Sequence, residues 1–353
     1  MPASRHSAAE GLGPVRLSVL DQSPIAEGST GAQALARTLE LAGLADRLGY
    51  HRFWVAEHHA TPTLAGAAPE ALIGPIAATT AGIRVGSGGV MLHHYSPRKV
   101  AETFSVLGGL FPGRIDLGLG RGADADAVTT HALQRDRRVP DPQDYPDQLA
   151  ELVAYLDDRP TPDRRFANLA ALPGLPGRPA PWLLGSSPES ALWAGQLGLP
   201  YAFGDFINPA GAQIAQLYRQ SFVGSERLPA PQVAVSVAAI CADTDEDAQR
   251  LATSVRICSL MAQRGTPIAV PPVERALRQL EEAEDPAALR ARRMVLGSPA
   301  TVRAGLETVA GEYGADEVIV VTVTHSHAAR RRSYELIAQA FGLRRDQRVG
   351  QTA

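Results

Sequence analysis

Two short polar stretches have the composition of an anion-binding site. Arg121 stands between two glycines directly after an apolar run, and residues 185–190 supply hydroxyls and backbone N–H groups where a strand would pass into a helix. A helix N-terminus attracts anions, and a guanidinium matches a phosphate dianion in shape and charge. Helix capping by Ser187, or an ion pair of Arg121 with Asp124 or Asp126, explains the same residues as well. The pattern therefore indicates a phosphate site and leaves these structural roles open.

Adjacent histidines occur twice, as His58 with His59 and as His93 with His94, and each pair follows another apolar run. Histidine changes charge near neutral pH and serves as a general acid or base. Because neighbouring residues of an extended loop point to opposite sides, at most one residue of the first pair is expected to be catalytic. No carboxylate stands at ligand spacing beside the second pair, and the chain has no CxxC or HExxH motif. We therefore predict no metal site.

The elements that must position these stretches alternate between strands and helices. Apolar runs predict strands at 15–20, 51–55, 83–87, 114–119, 182–185, 201–203, 232–240 and 317–323. Strands that alternate with helices pair in parallel, and about eight such units close into an eightfold β/α (TIM) barrel of the α/β class. An open doubly wound sheet is the alternative, but no glycine-rich dinucleotide motif follows the first strand. Loops after barrel strands carry the chemistry, so the polar stretches should share one rim.

Composition and charge exclude several classes of partner. Hydrophobic residues make up 45% of the chain, and the net charge of -3 offers no basic surface for nucleic acid or an anionic membrane. No apolar run reaches the length of a membrane span and no signal peptide is evident, so we expect a cytoplasmic protein. The predicted layout is one barrel domain with insertions over 14–345, between disordered tails at 1–13 and 346–353. A proline-containing, acidic segment at 265–293 is predicted to be a mobile lid.

Several of these stretches resemble the bacterial-luciferase-like flavin-dependent monooxygenases. The residues that carry the resemblance are 54–59, 84–97, 113–121, 185–187 and 194–200, in the family's order. The similarity spans most of the chain and is greatest to single-component actinobacterial members, some of which accompany antibiotic and other natural-product pathways. It implies an α/β barrel that binds reduced FMN, supplied by a separate NAD(P)H:flavin reductase. In some branches of the family the reduced deazaflavin coenzyme takes the place of FMN.

The resemblance also implies roles for individual residues. The family's cofactor-binding positions fall on Gly88, Gly89, Glu102, Arg121, Ser186, Ser187 and Ser190. Of these, Arg121 and the serines are expected to hold the flavin phosphate, and a cis peptide between the two glycines is expected to support the flavin ring. His58 matches the family's active-site histidine. The luciferase α-subunit has a reactive cysteine where this chain has Gly120, so an aldehyde substrate is not implied.

The reaction implied by the resemblance is a monooxygenation. Oxygen and reduced FMN form the flavin 4a-hydroperoxide, which transfers one oxygen atom to a small organic substrate, and His58 acts as the acid or base. The protein orients the cofactor and excludes water. Two alternatives stay open, a deazaflavin-dependent hydride-transfer oxidoreductase and a flavin-binding accessory subunit, although the combined presence of His58, Arg121 and the serines argues against the latter. A homodimer is expected.

Overall fold

Parallel strands of this chain close into a barrel, as the alternation of elements predicts. The structure is a computed structural model that describes residues 15–122, 127–133, 144–163, 178–281 and 293–344. Its strands are β1 (Arg16–Asp21), β2 (Arg52–Val55), β3 (Arg84–Met91), β4 (Ile115–Gly120), β5 (Ala180–Gly185), β6 (Tyr201–Gly204), β7 (Val233–Cys241), β8 (Val295–Gly297) and β9 (Glu317–Val321). The barrel consists of β1 to β7 and β9, and pairing of β9 with both β7 and β1 closes it. The predicted eightfold barrel is therefore confirmed.

Helices follow most of the barrel strands and cover the outside of the barrel. They are α1 (Gly31–Leu48), α2 (Pro69–Thr79), η1 (Leu92–His94, a 3-10 turn), α3 (Pro97–Leu110), α4 (Ala127–Leu133), α5 (Tyr145–Asp157), α6 (Pro188–Gln196), α7 (Ala212–Ser221), α8 (Asp245–Gln263), α9 (Val273–Glu281), α10 (Pro299–Tyr313) and α11 (His327–Phe341). Local sequence explains where α1 begins and ends: Thr30 caps its start in a capping box, and Gly49 ends it in the left-handed conformation. Over the described ranges, no helix is both long and apolar enough to cross a membrane.

The strands separate two apolar layers because their side chains alternate between the two faces. On β2, Phe53 and Val55 belong to the large cluster beneath the surrounding helices, whereas Trp54 belongs to a smaller cluster with Leu20 and Trp182 inside the barrel. The two tryptophan rings meet edge to face with their centroids 5.5 Å apart. The interior is thus filled with side chains, which leaves the loops at the strand ends as the place for a site.

A buried ionic network fills the amino end of the barrel. The Arg52 guanidinium donates to Glu317 at 2.6 and 3.0 Å and to Asp116 at 2.7 Å. Ser18 donates to Glu317 at 2.5 Å, and the Trp54 indole N–H donates to Asp116 at 2.9 Å. Arg52 is 3% exposed and both carboxylates are completely buried. These contacts tie strands on opposite sides of the barrel together from within.

The segment predicted as a lid has more anchors than its composition indicates. Val270 exchanges backbone hydrogen bonds of 2.8 Å with Ile25 and Glu27, and Thr63 donates to the Ile268 carbonyl at 2.7 Å. Farther along, α9 packs through the buried Ala276 on apolar residues of α8. The rest of the segment, 282–292, lies outside the described residues, as do the tails predicted at 1–13 and 346–353. The mobility of the lid stays a prediction.

Within this segment, we expect α9 to be the part that opens in the ligand-free protein. Ala276 is its one fully buried side chain, whereas α8 buries several, so α9 has less apolar contact to lose on opening. Amide hydrogen exchange measured by mass spectrometry should therefore be faster in α9 than in α8. The backbone hydrogen bonds of Val270 should keep its amide slow, which makes it an internal reference. Equal protection of the two helices would contradict a mobile lid.

Candidate active site

The polar stretches singled out in the sequence meet at the carboxyl rim of the barrel. The strands β2, β3, β4 and β5 are consecutive neighbours, so the loops that follow them lie side by side. The register places Met91 opposite Gly120, which sets η1 beside Arg121. The structure therefore brings together both histidine pairs, Arg121 and the serine stretch, as the barrel topology requires.

A buried carboxylate, Glu57, joins the loops after β2 and β3. It accepts hydrogen bonds from the Tyr95 hydroxyl at 2.7 Å and from the backbone N–H of Met91 at 2.9 Å. Its third partner is His59, whose Nε2 lies 2.7 Å from the same carboxylate. Burial, and then the hydrogen bond to Glu57, raise the pKa of Tyr95 far above its usual value, so its hydroxyl stays a donor. No local sequence pattern reveals this network, since the fold brings Tyr95 to Glu57 through the alignment of β2 with β3.

His58, the predicted catalytic residue, lies half-buried on the same loop. Its backbone N–H donates to the Gly66 carbonyl at 2.7 Å, and Ala60 close by adopts a positive φ of 50°. The side chain bonded to Glu57 is that of His59. Glu57 therefore anchors the loop through the neighbouring histidine, and His58 is positioned by the backbone around it.

The peptide bond between Gly88 and Gly89 is cis, as the resemblance implies. Glycine is required at these two positions by contacts within the protein, without reference to a ligand. A Cβ on Gly88 would lie 2.6 Å from the Leu20 side chain, and one on Gly89 would lie 2.8 Å from the Gly118 carbonyl oxygen. Close packing of β3 against its neighbours therefore explains both glycines, and their contact with a flavin ring stays a prediction.

Arg121 is exposed just beyond β4, and its guanidinium forms no ion pair with any residue in the described ranges. Asp124 and Asp126, its alternative partners, lie outside those ranges. Glu189, near the start of α6, is within electrostatic reach of Arg121, and the Ser187 hydroxyl lowers the pKa of this glutamate. Among the described residues, a guanidinium without an ion-pair partner thus lies within electrostatic reach of the amino end of α6, an arrangement that suits an anion.

The predicted serines differ in how far the fold already uses their polar groups. Ser187 caps α6 in a capping box with Ser190. The Ser190 hydroxyl is buried and already bonded, to the Ser187 carbonyl at 2.7 Å and to the Tyr201 hydroxyl at 2.8 Å. The Ser186 carbonyl accepts from Asn208 at 3.0 Å, which holds the loop in place. Ser187 and the backbone N–H of Ser186 therefore fit a phosphate better than Ser190 does.

Glu102, the remaining predicted cofactor residue, has an ion-pair partner within its own helix. It is on α3, where it pairs with Arg98 at 3.0 Å, one helical turn earlier. The Arg98 guanidinium in turn lies over the ring of Tyr155, on α5. This ion pair with Arg98 is the contact of Glu102 that the described part of the chain shows, and a role of Glu102 in cofactor binding stays a prediction.

The described residues contain no group of three or more potential ligands arranged for a metal ion. The rim offers instead a guanidinium that has no ion pair within the described ranges, a helix start and histidines beside a buried carboxylate. An eightfold barrel with such a rim defines an α/β-barrel enzyme. The sequence profile of the luciferase-like monooxygenases matches residues 15–317, and the chain belongs to this family.

Relatives align with nearly the whole chain. YwcH of Bacillus subtilis, an uncharacterised protein, is 44% identical over 331 residues, which cover 93% of this chain and 99% of YwcH. The N-acetyl-S-alkylcysteine monooxygenase of the same organism is 37% identical, with coverages of 92% and 98%. The crystal structure of apo-MsnO8 is similar with a TM-score of 0.86 and 44% identity, over 93% of this chain and 98% of that one. The protein is an enzyme of this family.

Two more distant structures share the fold. The oxygenating constituent of 3,6-diketocamphane monooxygenase from Pseudomonas putida, in complex with FMN, has a TM-score of 0.70 at 19% identity and covers 93% of this chain and 98% of its own. An F420-dependent secondary alcohol dehydrogenase, in complex with an F420–acetone adduct, has a TM-score of 0.67 at 14% identity, with coverages of 93% and 99%. At such identities the likeness concerns the fold alone.

Proposed function

We propose that this protein is a flavin-dependent monooxygenase that uses reduced FMN and molecular oxygen to oxygenate a small organic substrate. The observation that carries the proposal is the guanidinium of Arg121, which lies without an ion-pair partner in the described structure and faces the amino end of α6. FMN ends in a phosphate dianion, which such a site suits. Bound reduced flavin supplies the electrons that activate oxygen.

The residues of the rim would divide the work among themselves. Arg121, Ser187 and the backbone N–H of Ser186 would bind the phosphate, and Ser190 would support them through Tyr201. The Gly88–Gly89 peptide would lie against the flavin ring. His58 would hold or deliver the proton that oxygen transfer requires. Glu57 would position the histidine loop through His59 and Tyr95, because a buried carboxylate with three hydrogen bonds has a fixed geometry.

The reduced cofactor would come from a separate NAD(P)H:flavin reductase, and the enzyme would act as a homodimer. Deazaflavin-dependent hydride transfer is the second candidate, because the F420-dependent dehydrogenase shares the barrel. The named monooxygenase relative is more similar, at 37% identity against 14%, which favours oxygenation.

Anaerobic calorimetric titrations of the ligand-free protein distinguish the two cofactors. We expect saturable binding of reduced FMN and weaker binding of the reduced deazaflavin coenzyme. On exposure to air, the bound reduced FMN should react with oxygen at a rate different from that of free reduced FMN, which autoxidises without the protein. Tight binding of the deazaflavin, with no saturable binding of reduced FMN, would overturn the proposal in favour of hydride transfer.

Replacing Arg121 by alanine should weaken reduced FMN binding at least about tenfold, since a hydrogen bond to a charged group contributes about 1.5–3 kcal/mol. Affinity for riboflavin, which has no phosphate, should not change. Arg303→Ala removes an exposed arginine of α10, paired with Glu307, and serves as the control. Unchanged FMN affinity in Arg121→Ala, or an equal loss for riboflavin, would show that Arg121 does not bind the phosphate.

A further inference from the structure

Buried polar atoms without partners are concentrated at the interface of η1 and α5. They are His93 Nδ1, His94 Nδ1 and Nε2, the Tyr145 hydroxyl and Gln148 Oε1. None of these atoms has a hydrogen-bond partner in the part of the chain that the structure describes. We call these four side chains the η1–α5 cluster.

The burial of the cluster makes these unmade hydrogen bonds significant. His94 is 2% exposed, Tyr145 3% and Gln148 5%. A buried polar atom without a partner loses its hydration and gains nothing in return, and native proteins contain few of them. Several such atoms on two elements that pack together therefore indicate a polar ligand that would complete them.

The cluster adjoins the proposed phosphate site. The ring of His93 lies 3.7 Å from that of His94 and within hydrogen-bonding reach of the Arg121 backbone. Arg121 also acts electrostatically on Tyr145, and the Tyr145 ring lies 5.4 Å from Trp193, on α6. The cluster is thus bordered by Arg121 and by the helix whose start faces Arg121.

The chemistry of the cluster selects the kind of ligand. Burial lowers the pKa of His94 to about 4, lowers that of His93 and raises that of Tyr145, so all three side chains are uncharged at neutral pH. A neutral imidazole has one donor and one acceptor, a phenol has both, and Gln148 Oε1 only accepts. An anion, which only accepts, would leave the acceptors unmatched. Hydroxyl groups both donate and accept, so they can pair with the donors and the acceptors of all four side chains.

We infer that the η1–α5 cluster binds the polyhydroxyl chain that connects the flavin ring to its phosphate. The inference rests on the proposed function, which places the ring near Gly88–Gly89 on β3 and the phosphate on Arg121 after β4. The turn η1 directly follows β3 and its His93 touches Arg121, so the cluster lies where the connecting chain must pass. Tyr145 becomes a ligand-binding residue that the sequence did not single out, and His94 gains a role beyond its membership of a histidine pair.

The experiment compares three reduced flavins in anaerobic calorimetry: lumiflavin, which lacks the chain; riboflavin, which has the chain without phosphate; and FMN. Tyr145→Phe deletes only the unpartnered oxygen and should weaken riboflavin and FMN alike, by about five- to tenfold, while leaving lumiflavin unchanged. Tyr155→Phe is the matched control, because Tyr155 lies buried on the same helix and its hydroxyl, which interacts with Glu151 and Arg98, is not among the unpartnered atoms of the described residues. Arg121→Ala should weaken FMN alone.

A second measurement needs no ligand. Tyr145→Phe removes a buried hydroxyl that has no partner among the described residues, so the thermal unfolding temperature of the ligand-free protein should stay unchanged or rise. Tyr155→Phe should lower that temperature. His94→Phe, which removes both unpartnered nitrogens and keeps a flat ring, should reproduce the riboflavin and FMN losses of Tyr145→Phe.

The inference is overturned if Tyr145→Phe and His94→Phe bind all three flavins normally, or if both lose lumiflavin as much as riboflavin. If the unaltered protein binds the flavins normally, either of these two results overturns this inference and leaves the proposed function standing. Failure of the unaltered protein to bind any of the three flavins overturns the proposed function and this inference with it.

Discussion

Replacement of His58 by alanine is expected to leave reduced FMN bound and to lower product formation by about 10²–10⁴-fold, the usual contribution of a general acid or base. The loop that carries His58 follows β2, whereas the proposed phosphate site follows β4 and β5, so the two proposed functions are separable. Without its proton donor, oxygen reduction should end as free hydrogen peroxide. The measurement is the amount of oxygenated product and of hydrogen peroxide formed per reduced FMN consumed.

His59→Ala is the matched control, because the two histidines are adjacent and His59 Nε2 lies 2.7 Å from the Glu57 carboxylate. We expect His59→Ala to lower stability through its loop and to change the ratio of product to peroxide much less than His58→Ala does. If His58→Ala still converts reduced FMN into product without extra peroxide, and His59→Ala does not, the acid–base role belongs to His59, with Glu57 as its direct partner. If neither variant changes turnover, the loop is structural.

Most of the barrel could be predicted from the sequence because each barrel strand is a separate apolar run followed by a polar stretch. Among the elements that were not predicted, one is short and another is preceded by prolines. β8 has three residues, too few for a periodic pattern. The start of α9 was obscured by Pro271 and Pro272, yet the Pro272 carbonyl accepts the first helical hydrogen bond, from Ala276. Proline before or in the first turn is compatible with a helix, so these residues mark a beginning where a loop was expected.

The candidate site was predictable in its residue types and less so in its connections. Loop positions followed from topology, which placed Arg121 and the histidines on one rim. The bond between Glu57 and Tyr95 spans 38 residues and depends on how β2 and β3 align. Ser190 shows why residue type alone does not identify a ligand-binding group. Its hydroxyl could bind a phosphate, but in the fold it is hydrogen-bonded to the Tyr201 hydroxyl. A local pattern names candidates, whereas long-range contacts decide which of them are available.

Glu317→Ala is expected to destabilise the protein by about 3–5 kcal/mol, because it leaves the buried Arg52 guanidinium without the carboxylate that accepts two of its hydrogen bonds. Asp116 would remain, but it also bonds to Arg84 and to the Trp54 indole, so one carboxylate would serve three donors. The measurement is urea unfolding followed by circular dichroism.

The control for this variant is Glu307→Ala, which breaks an exposed ion pair with Arg303 on α10 and should cost at most about 0.5 kcal/mol. A second variant, Arg52→Met with Glu317→Gln, removes both charges and should recover part of the loss, because no buried charge is then left unpaired. If Glu317→Ala unfolds at the same urea concentration as Glu307→Ala, the network does not hold the amino end of the barrel together, and the apolar layers alone stabilise it. Because the network lies at the end opposite the rim, reduced FMN affinity of the folded variant should stay unchanged, which separates stability from function in one pair of measurements.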